Sequence, residues 1–345
     1  MKVAIVTVRS ASGEAGGAER LYDALVEAFR QGGHEAQEIP VVADESTFEQ
    51  IKRNYLACYD LDLSAFDLVV STKAPTWMVR HPRHVCYLVH TIRVFYDMFD
   101  SAFPDAGPEH RAQRDLIHQL DTQALSPPRC RGVFSIGSEV SKRLQQWNGL
   151  EAEVMHPPLW GGAFHAGAFG DYLLLPGRLH PWKRVDLVIR AMRHVRAPLR
   201  LVITGTGEAE QDLRALAKGD PRVEFRGRVS DAELVELYAG AYAIPFTPMR
   251  EDYGYVTLEA FLAHKPVVTS SDAGGPLEFV EDGVNGFVRD ATPDAIAEAV
   301  VRLGNDANLA RRLGEQGYER ARRITWEGVV DRLVGAGLRP VAART

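Results

Sequence analysis

Two series of apolar segments alternate with amphipathic segments along the chain, and this alternation predicts two α/β lobes. The first series opens with "VAIVTV", followed by "GGAERLYDALVEAFRQGGHE", whose apolar residues recur at helical spacing. The second series opens with "DYLLLPGRL" and continues through "LRLVITGTG", "VEFRGRV" and "PVVTS". Continuous apolar strands that alternate with helices are typical of a parallel sheet covered on both faces.

The stretch between the two series, residues 155–170, is rich in Pro and Gly and interrupts the alternation, as an interdomain linker does. We therefore predict Rossmann-like, doubly wound domains over residues 1–157 and 158–322. A last helix within residues 323–345 can pack back onto the first domain. Two such lobes facing each other across a cleft bind ligands at the carboxyl ends of their strands. Motifs directly after strands therefore carry the most information about function.

Composition narrows the class of protein. The length of 345 residues favours two domains, and the net charge of −6 gives no overall attraction to nucleic acid. The three cysteines, Cys58, Cys86 and Cys130, lack CxxC spacing, which argues against a zinc site or a disulfide framework. The opening "MKVAIVTV" is interpreted as a strand rather than a secretory signal. We expect a cytoplasmic protein.

Two cations follow the first strand of the second series, in "LLPGRLHPWKRVDLVIRA". Arg178 comes directly after the strand, and Lys183 lies just before a helix. A guanidinium that binds two oxygens and an ammonium that acts as a point charge suit a diphosphate. The alternative is that both side chains are solvated surface cations, as most Lys and Arg side chains are.

Glycines follow two other predicted strands. Gly16 and Gly17 precede the first helix, where free amides and close backbone approach can bind an anion. The segment lacks the GxGxxG pattern of dinucleotide-binding folds, and an ordinary turn with a helix cap explains it equally well. Gly205 and Gly207, in "ITGTGEAE", favour a structural turn.

The segment "REDYGYVTLE" places Glu251 before Gly254 and Glu259 within the helix that follows. If the helix begins at Gly254, its first amides attract a phosphate, whereas the two carboxylates repel one. The carboxylates are instead strong acceptors for hydroxyl groups. A ligand with a central diphosphate and a polyol at each end meets both conditions, and a nucleotide-sugar is such a ligand.

The block "REDYGYVTLEAFLAHKPVVTSSDAGGPLEFVEDGVNGFV" resembles the E-x7-E signature of family 4 (GT4) retaining glycosyltransferases, which have the GT-B fold. "GRLHPWKR" is similar to the Gly-Arg-Leu…Lys motif of that family, "GGAER" to its N-terminal glycine loop, and "YLVHT" to its first-lobe histidine motif. The resemblance is specific in the second lobe and diffuse in the first. It implies an acceptor-side first domain and a second domain that binds the nucleotide-sugar.

The resemblance also implies roles for individual residues. It implies catalytic roles for His90, Arg178, Lys183 and Glu251. It implies donor binding by a larger set: Gly16, Gly17, Arg178, Lys183, Arg228, Val229, Glu251, Tyr253, Gly254, Tyr255, Val256 and Glu259.

Within that set, Glu251 would bind the donor sugar and Glu259 the ribose, while the amides at 254–256 would bind the distal phosphate. Arg178 and Lys183 would neutralise the diphosphate, and Gly16 or Gly17 would cover it from the other lobe. His90 would lie beside the transferred sugar, although a histidine that packs at the rim of the strand is the alternative. The loop from Arg226 to Val229 would border the nucleobase.

Two departures from the family pattern bear on these roles. Asp252 stands where a small residue is usual, which affects the contacts with the sugar. His264 replaces a common glycine, so the helix end is expected to form differently.

The expected function is transfer of a sugar from a nucleotide-diphosphate donor to a hydroxyl of a polysaccharide, glycolipid or small glycoside, with retention and by a front-face route. Asp60-Leu61-Asp62 lies in an apolar context, so we expect no metal and no cofactor beyond the donor, such as a UDP- or GDP-sugar. A nucleotide-sugar epimerase and a non-catalytic sugar-nucleotide-binding protein remain alternatives. So does a nicotinamide oxidoreductase, which lacks support from fingerprint glycines.

Possible contacts with other partners rest on weaker patterns. Arg80, Arg83 and His84 form a basic stretch that suits an anionic membrane surface, with a solvated loop as the alternative. Tyr87, Arg93 and Tyr96 are candidates for contact with the acceptor, and ordinary packing is the favoured alternative. The nucleobase, the sugar and the acceptor stay open.

Overall fold

The computed structural model describes residues 1–9, 17–159 and 164–339. The chain divides into two compact units: the described parts of Met1–Trp160 with Thr325–Thr345, and of Gly161–Ile324. Each unit contains only parallel strand pairing within its sheets, with helices in the connections. The predicted α/β class with two doubly wound, Rossmann-like units is confirmed.

The first unit is built on a six-stranded parallel sheet. Its strands are β1 (Lys2–Arg9), β2 (Glu35–Val42), β3 (Leu68–Lys73), β4 (His84–His90), β5 (Val133–Ser135) and β6 (Glu153–Val154). Its helices are α1 (Gly17–Gln31), α2 (Phe48–Tyr59), α3 (Phe99–Ala102), α4 (Pro108–Leu125) and α5 (Ser138–Asn148). The spatial order is β2-β1-β3-β4-β5-β6. The order of strand addition reverses between β1 and β3.

The second unit has two groups of three parallel strands. They are β7 (Tyr172–Pro176), β8 (Arg200–Thr204), β9 (Val223–Gly227), β10 (Ile244–Pro245), β11 (Val267–Ser270) and β12 (Gly286–Arg289). The helices are α6 (Val185–Met192), α7 (Glu210–Ala217), α8 (Asp231–Gly240), α9 (Tyr255–Leu262), α10 (Pro293–Gly304) and α11 (Ala307–Ala321). A parallel bridge between Leu173 and Ala243 joins β7 to the segment entering β10. The combined order is therefore β9-β8-β7-β10-β11-β12.

The last helix, α12 (Val329–Leu338), packs on β3 and β4 of the first unit. A Cβ at Gly337 would overlap the side chain of Leu68, so glycine permits the close approach. Nη1 of Arg131 donates to the carbonyl oxygens of Gly337 at 2.9 Å and Arg339 at 2.6 Å. These bonds satisfy carbonyls that the helix end leaves without intrahelical partners.

The end of α9 corrects one expectation from the sequence. His264 itself adopts the left-handed conformation, with φ of 57°, so the helix ends in the way that a glycine would end it. Its ring stacks on Tyr318 at 4.0 Å between centroids, and Nδ1 lies 3.1 Å from Oε1 of Glu315. A Cβ at Gly314 would overlap the His264 carbonyl, so α11 lies directly against this turn. Contacts with α11 thus stabilise a conformation that a non-glycine residue rarely adopts.

His84 and Asp121 are titratable side chains that are fully buried in the first unit. Nδ1 of His84 donates to the Arg129 carbonyl at 3.2 Å, so Nε2 accepts from the Ser71 hydroxyl at 2.8 Å. Burial lowers the pKa of His84 to about 4, because the imidazolium would lose its hydration. Asp121 accepts three bonds, from Tyr55, Trp77 and Tyr96.

Burial raises the pKa of Asp121 to about 6, although its three hydrogen bonds act to lower it. These two groups make opposite contributions to the dependence of stability on pH. Below its unfolded pKa of 6.5, His84 takes up a proton only in the unfolded chain, so stability falls as the pH approaches 4. Asp121 takes up its proton first in the folded state, so acidification through pH 6 adds stability.

We expect His84→Gln to be destabilised less than the wild type by acidification. Between about pH 7.5 and about pH 4.5, the difference in unfolding free energy should shift by about 2 kcal/mol in favour of the variant. Urea unfolding at both pH values measures it. Asp121→Asn is the matched comparison and should shift by a similar amount in the opposite direction. Parallel pH profiles for the wild type and both variants would contradict the assignment.

Candidate functional site

The second sheet changes the direction of strand addition beside β7. The chain proceeds outward from β7 to β8 and β9, and then places β10 on the other side of β7. Ligands of doubly wound sheets bind outside the carboxyl ends of the strands at such a point. The loops that follow β7 and β10, residues 177–184 and 246–254, carry five of the twelve predicted donor-binding residues, and α9, which follows directly, carries three more. The site begins with these two loops.

The loops after β7 and β8 pack against each other through glycines. A Cβ at Gly205 would overlap the carbonyl oxygen of Gly177, and a Cβ at Gly207 would overlap that of Leu179. Gly205 also has φ of 98°, a conformation that side chains rarely allow. The interpretation of Gly205 and Gly207 as structural turn residues is confirmed.

Lys183 and Glu251 form an ion pair at the switch point. Nζ of Lys183 lies 2.7 Å from Oε1 and 2.6 Å from Oε2 of Glu251. The two side chains are 29% and 21% exposed, so their attraction is stronger than that of a fully hydrated pair. The structure thus brings together the predicted phosphate-binding cation and the predicted sugar-binding carboxylate. A phosphate that binds Lys183 competes directly with Glu251.

Arg178 follows β7 as predicted and pairs with a different carboxylate. Its side chain is 70% exposed, and Nη2 lies 3.3 Å from Oε2 of Glu208. Nε2 of His180 lies 3.2 Å from the other oxygen of Glu208. Nothing in the sequence pattern marks Glu208, because its place beside Arg178 depends on the packing of the β7 and β8 loops.

The helix α9 begins immediately after Gly254. This glycine has φ of 83°, and a Cβ there would lie 2.9 Å from Cγ of Pro276 and 3.1 Å from Cε1 of Phe246. Both the conformation and the space therefore require glycine. The amides of Tyr255 and Val256 lie in the first turn, where no residue of the same helix can accept from them.

A pair of glycines fixes the backbone around Glu251. The Glu251 amide donates to the Ala273 carbonyl, and the Gly275 amide donates to the Glu251 carbonyl, each at 2.7 Å. A Cβ at Gly274 would lie 2.6 Å from the Glu251 carbonyl oxygen, closer than real Cβ atoms approach. The segment after β11 therefore holds the loop that carries Glu251 in place through hydrogen bonds and close packing.

Glu259 is buried, and its Oε2 accepts a hydrogen bond from the Tyr238 hydroxyl at 2.5 Å. Its position on α9 places it in the helix that begins at Gly254, as the sequence predicts. Tyr253 is also buried, with ring centroids 4.9 Å from Tyr255 and 5.2 Å from Phe279. Tyr238 on α8 was not predicted, because nothing in its helix distinguishes it from a core tyrosine.

The predicted base-side loop, Arg226 to Val229, begins in the last two residues of β9 and continues past its end. Gly227 has φ of 65°, and its carbonyl accepts from the Gly205 amide at 2.7 Å. Arg228 is exposed, and Val229 is half-buried. The loops after β7, β8 and β9 are thus joined side by side, which is the arrangement that the prediction for residues 226–229 requires.

Two of the predicted residues of the first unit, His90 and Gly17, lie at the carboxyl edge of its sheet. His90 is the last residue of β4, is half-buried, and accepts from the Ala74 amide at 3.1 Å through its carbonyl. Gly17 begins α1 after β1 and is exposed, whereas Gly16 lies outside the described residues. Their roles toward a donor stay predictions.

The structure also tests the basic stretch around His84 and the candidate acceptor residues that the sequence suggested. His84 is fully buried at the start of β4, so the interpretation of it as part of a basic surface is wrong, whereas Arg80 and Arg83 are exposed. Its burial follows from the bonds to Ser71 and Arg129 described above. The candidate acceptor residues Tyr87, Arg93 and Tyr96 are all buried, which favours the packing alternative.

Over residues 1–9, 17–159 and 164–339, no cluster of three or more His, Cys, Asp or Glu side chains has the arrangement of a metal site. Within the same ranges, the helices are too short or too polar to cross a membrane.

Comparison with known proteins identifies the second unit. Residues 170–320, which lie within the second unit, match the family model described as glycosyl transferases group 1. The D-inositol 3-phosphate glycosyltransferase of Stackebrandtia nassauensis is 30% identical over 207 residues, which cover 54% of this chain and 46% of that protein. The chain spans about half the length of such curated relatives or less.

Solved structures show the fold of the whole chain. The sucrose-phosphate synthase of Thermosynechococcus elongatus has a TM-score of 0.72 at 17% identity, with 97% of each chain covered. HepE of Anabaena, in complex with UDP-glucose, has a TM-score of 0.70 at 17% identity and covers 97% of this chain and 98% of its own. The predicted GT-B fold class is confirmed by these glycosyltransferase structures.

Proposed function

We propose that this protein transfers a sugar from a nucleotide-diphosphate donor to a hydroxyl acceptor, with retention of the anomeric configuration. The observation that carries the proposal is the Lys183–Glu251 pair at the switch point of the second sheet. The cation and the helix start can bind a phosphate, and the carboxylate can bind hydroxyl groups. All three follow neighbouring strands. Comparison with group 1 glycosyl transferases over residues 170–320 supports the same reaction class.

The diphosphate is held by positive charge and by backbone amides. Lys183 supplies the ammonium, and the amides of Gly254, Tyr255 and Val256 supply donors at the positive end of α9. Arg178, exposed beside Glu208, supplies a second cation at the same edge of the sheet. These groups stabilise the negative charge that develops on the leaving diphosphate, so the reaction proceeds without a metal ion.

The hydroxyl groups at the two ends of the donor bind the two carboxylates. Glu251, next to Lys183, accepts from hydroxyls of the sugar, and Glu259 accepts from the ribose. The Tyr238 hydroxyl donates to Oε2 of Glu259 and orients this carboxylate. The structurally similar HepE of Anabaena forms complexes with UDP-glucose and with UDP and glucose, which supports a nucleotide-sugar donor here.

In the transfer step, the bond between the anomeric carbon and the β-phosphate oxygen breaks, and the acceptor oxygen bonds to the same face of that carbon. The acceptor's proton moves to the departing phosphate oxygen, so the step needs no nucleophile from the protein. Lys183 stabilises the phosphate as it gains charge. A polysaccharide, a glycolipid or a small glycoside provides the accepting hydroxyl.

A thermal-shift screen against UDP-, GDP-, ADP- and TDP-sugars tests the donor, because a bound ligand stabilises the folded state in proportion to the logarithm of its concentration over Kd. Sugar transfer is then measured with the stabilising donor and an acceptor library, with and without a chelator. The proposal expects acceptor-dependent release of nucleoside diphosphate in both conditions. Interconversion of donor sugars without an acceptor indicates an epimerase, and tight binding without turnover indicates a binding protein.

Glu259→Gln tests the assignment of the ribose end. We expect the variant to bind a nucleoside diphosphate about tenfold more weakly or worse, because hydrogen bonds to a charged acceptor are worth about 1.5–3 kcal/mol. The matching 2′,3′-dideoxy nucleotide should bind the variant and the wild type about equally. Isothermal titration measures both affinities, with Glu236→Gln as a control on α8. Equal losses for both nucleotides would contradict the ribose role.

A further inference from the structure

Arg184, which directly follows Lys183, has an unusual backbone conformation. Its φ of 48° and ψ of 43° lie in the left-handed region, which favours glycine and is unfavourable for other residues. Arg250, which directly precedes Glu251, has φ of 47°. The two residues of the ion pair are therefore each flanked by a strained non-glycine residue. Such strain persists where surrounding contacts over-determine it, often at functional sites.

The side chain of Arg184 explains its own conformation. Nε donates to the Thr247 carbonyl at 2.9 Å, and Nη2 donates to the Pro248 carbonyl at 2.6 Å. Nη2 also lies 2.9 Å from Oγ of Ser270, and the guanidinium binds both oxygens of Asp272, at 2.9 and 2.6 Å. One partly buried side chain therefore connects the loops that follow β7, β10 and β11.

Asp272 carries the connection to Glu251 through the backbone. Its carbonyl accepts from the Arg250 amide at 3.0 Å, and the next carbonyl, that of Ala273, accepts from the Glu251 amide at 2.7 Å. On the other side, the Trp182 carbonyl accepts from the Met249 amide at 2.8 Å. The backbone on both sides of the ion pair is thus tied to the Arg184–Asp272 pair.

We propose that Arg184 and Asp272 are a positioning pair that sets the relative placement of Lys183 and Glu251. The inference rests on the proposed transferase function. Arg184 touches neither the donor nor the reacting atoms; it acts by holding the loop that carries Glu251 against the loop that carries Lys183. A planar guanidinium with several donors can bind two carbonyls and a carboxylate at once, which the single ammonium of lysine cannot do.

The proposal predicts a loss of turnover that is separate from nucleotide binding and from stability. Arg184→Gly relieves the backbone strain but removes every side-chain bond, so its thermal midpoint should stay close to that of the wild type. Its kcat should fall about tenfold to a hundredfold, since small misplacements at a reacting centre have effects of that size. The Kd for nucleoside diphosphate should change less than kcat does, because α9 and Glu259 are untouched.

Companion variants separate positioning from charge and from folding. Arg184→Lys should fail to rescue kcat, and Asp272→Asn should lower it similarly. The kcat of the double variant Arg184→Gly/Asp272→Asn should be no lower than that of the poorer single variant, because the two substitutions break the same connection. Arg190→Ala, which breaks an exposed ion pair with Asp186 on α6, is the matched control and should keep the kcat of the wild type. An unchanged kcat in Arg184→Gly, or losses that add in the double variant, would overturn the proposal.

A second measurement does not depend on catalysis. Competitive acetylation of the ligand-free protein, followed by mass spectrometry, reports how well Glu251 shields Lys183. Lys183 should react severalfold faster in Arg184→Gly than in the wild type, with exposed Lys218 as the internal reference. Equal labelling of Lys183 would refute the positioning pair. A wild type that binds no nucleotide-sugar would instead refute the proposed function. The labelling of Lys183 would still test the positioning pair, because it is measured on the ligand-free protein.

Discussion

Lys183→Ala is expected to lower kcat on the order of a hundredfold or more. Removing one preorganised contact to developing charge costs about 2.7–4 kcal/mol of transition-state stabilisation. The loss is compounded because Glu251 then lies partly buried without the ammonium that binds both of its oxygens. The variant should also bind nucleoside diphosphate more weakly, since the diphosphate has lost a cation. Steady-state kinetics with a saturating donor and isothermal titration measure the two effects.

Lys218→Ala is the matched control for this prediction. Lys218 is an exposed lysine of the same unit, beyond the end of α7. Its removal changes the net charge equally but leaves the loops after β7 and β10 intact. Wild-type kcat in Lys183→Ala, with intact folding, would refute the role of Lys183 in stabilising the leaving group.

Glu251→Gln is expected to change turnover and product binding in opposite directions. The amide keeps the size of the side chain but accepts hydroxyl groups less strongly, so kcat should fall on the order of a hundredfold. The same change leaves Lys183 without its carboxylate partner, so its full charge becomes available to a diphosphate. Nucleoside diphosphate without a sugar should therefore bind severalfold more tightly than it binds the wild type.

The opposite signs distinguish Glu251→Gln from Lys183→Ala, in which both quantities fall. Titration with nucleoside diphosphate and kinetics on the same preparation measure them, with Glu210→Gln on α7 as a control for charge. Glu210 pairs with Arg214 on its own helix and lies outside the two loops of the site. Weaker nucleotide binding by Glu251→Gln would show that Lys183 and Glu251 do not compete as the geometry implies.

The sequence predicted the interior of both sheets better than their edges. The apolar segment "HVCYLVH" coincides with β4, and "DYLLLPGRL" contains β7, because strands buried on both faces read as continuous apolar runs. The segment "EAQEIPVV", which forms β2, was not predicted. It lies at the edge of its sheet, is half-exposed and contains Pro40, so neither its composition nor its periodicity resembles that of a central strand.

The site was predicted as a set of residues rather than as a set of contacts. Lys183 and Glu251 could be chosen because each follows an apolar strand, but they are 68 positions apart in the sequence, and no local pattern indicates that they pair. That pairing depends on the strand order around β7. Arg184 could not be found, because no pattern in the sequence marks an arginine for a left-handed backbone. Asp272 and Tyr238 likewise acquire their roles only through packing.

The placement of α12 has a consequence for synthesis of the chain. The first unit is assembled from both ends of the sequence, whereas the second is one continuous stretch. A ribosome therefore delivers the second unit before it delivers the helix that packs on β3 and β4. The first unit is completed only after the second, and a fragment that stops at Ile324 lacks that helix while retaining the second unit.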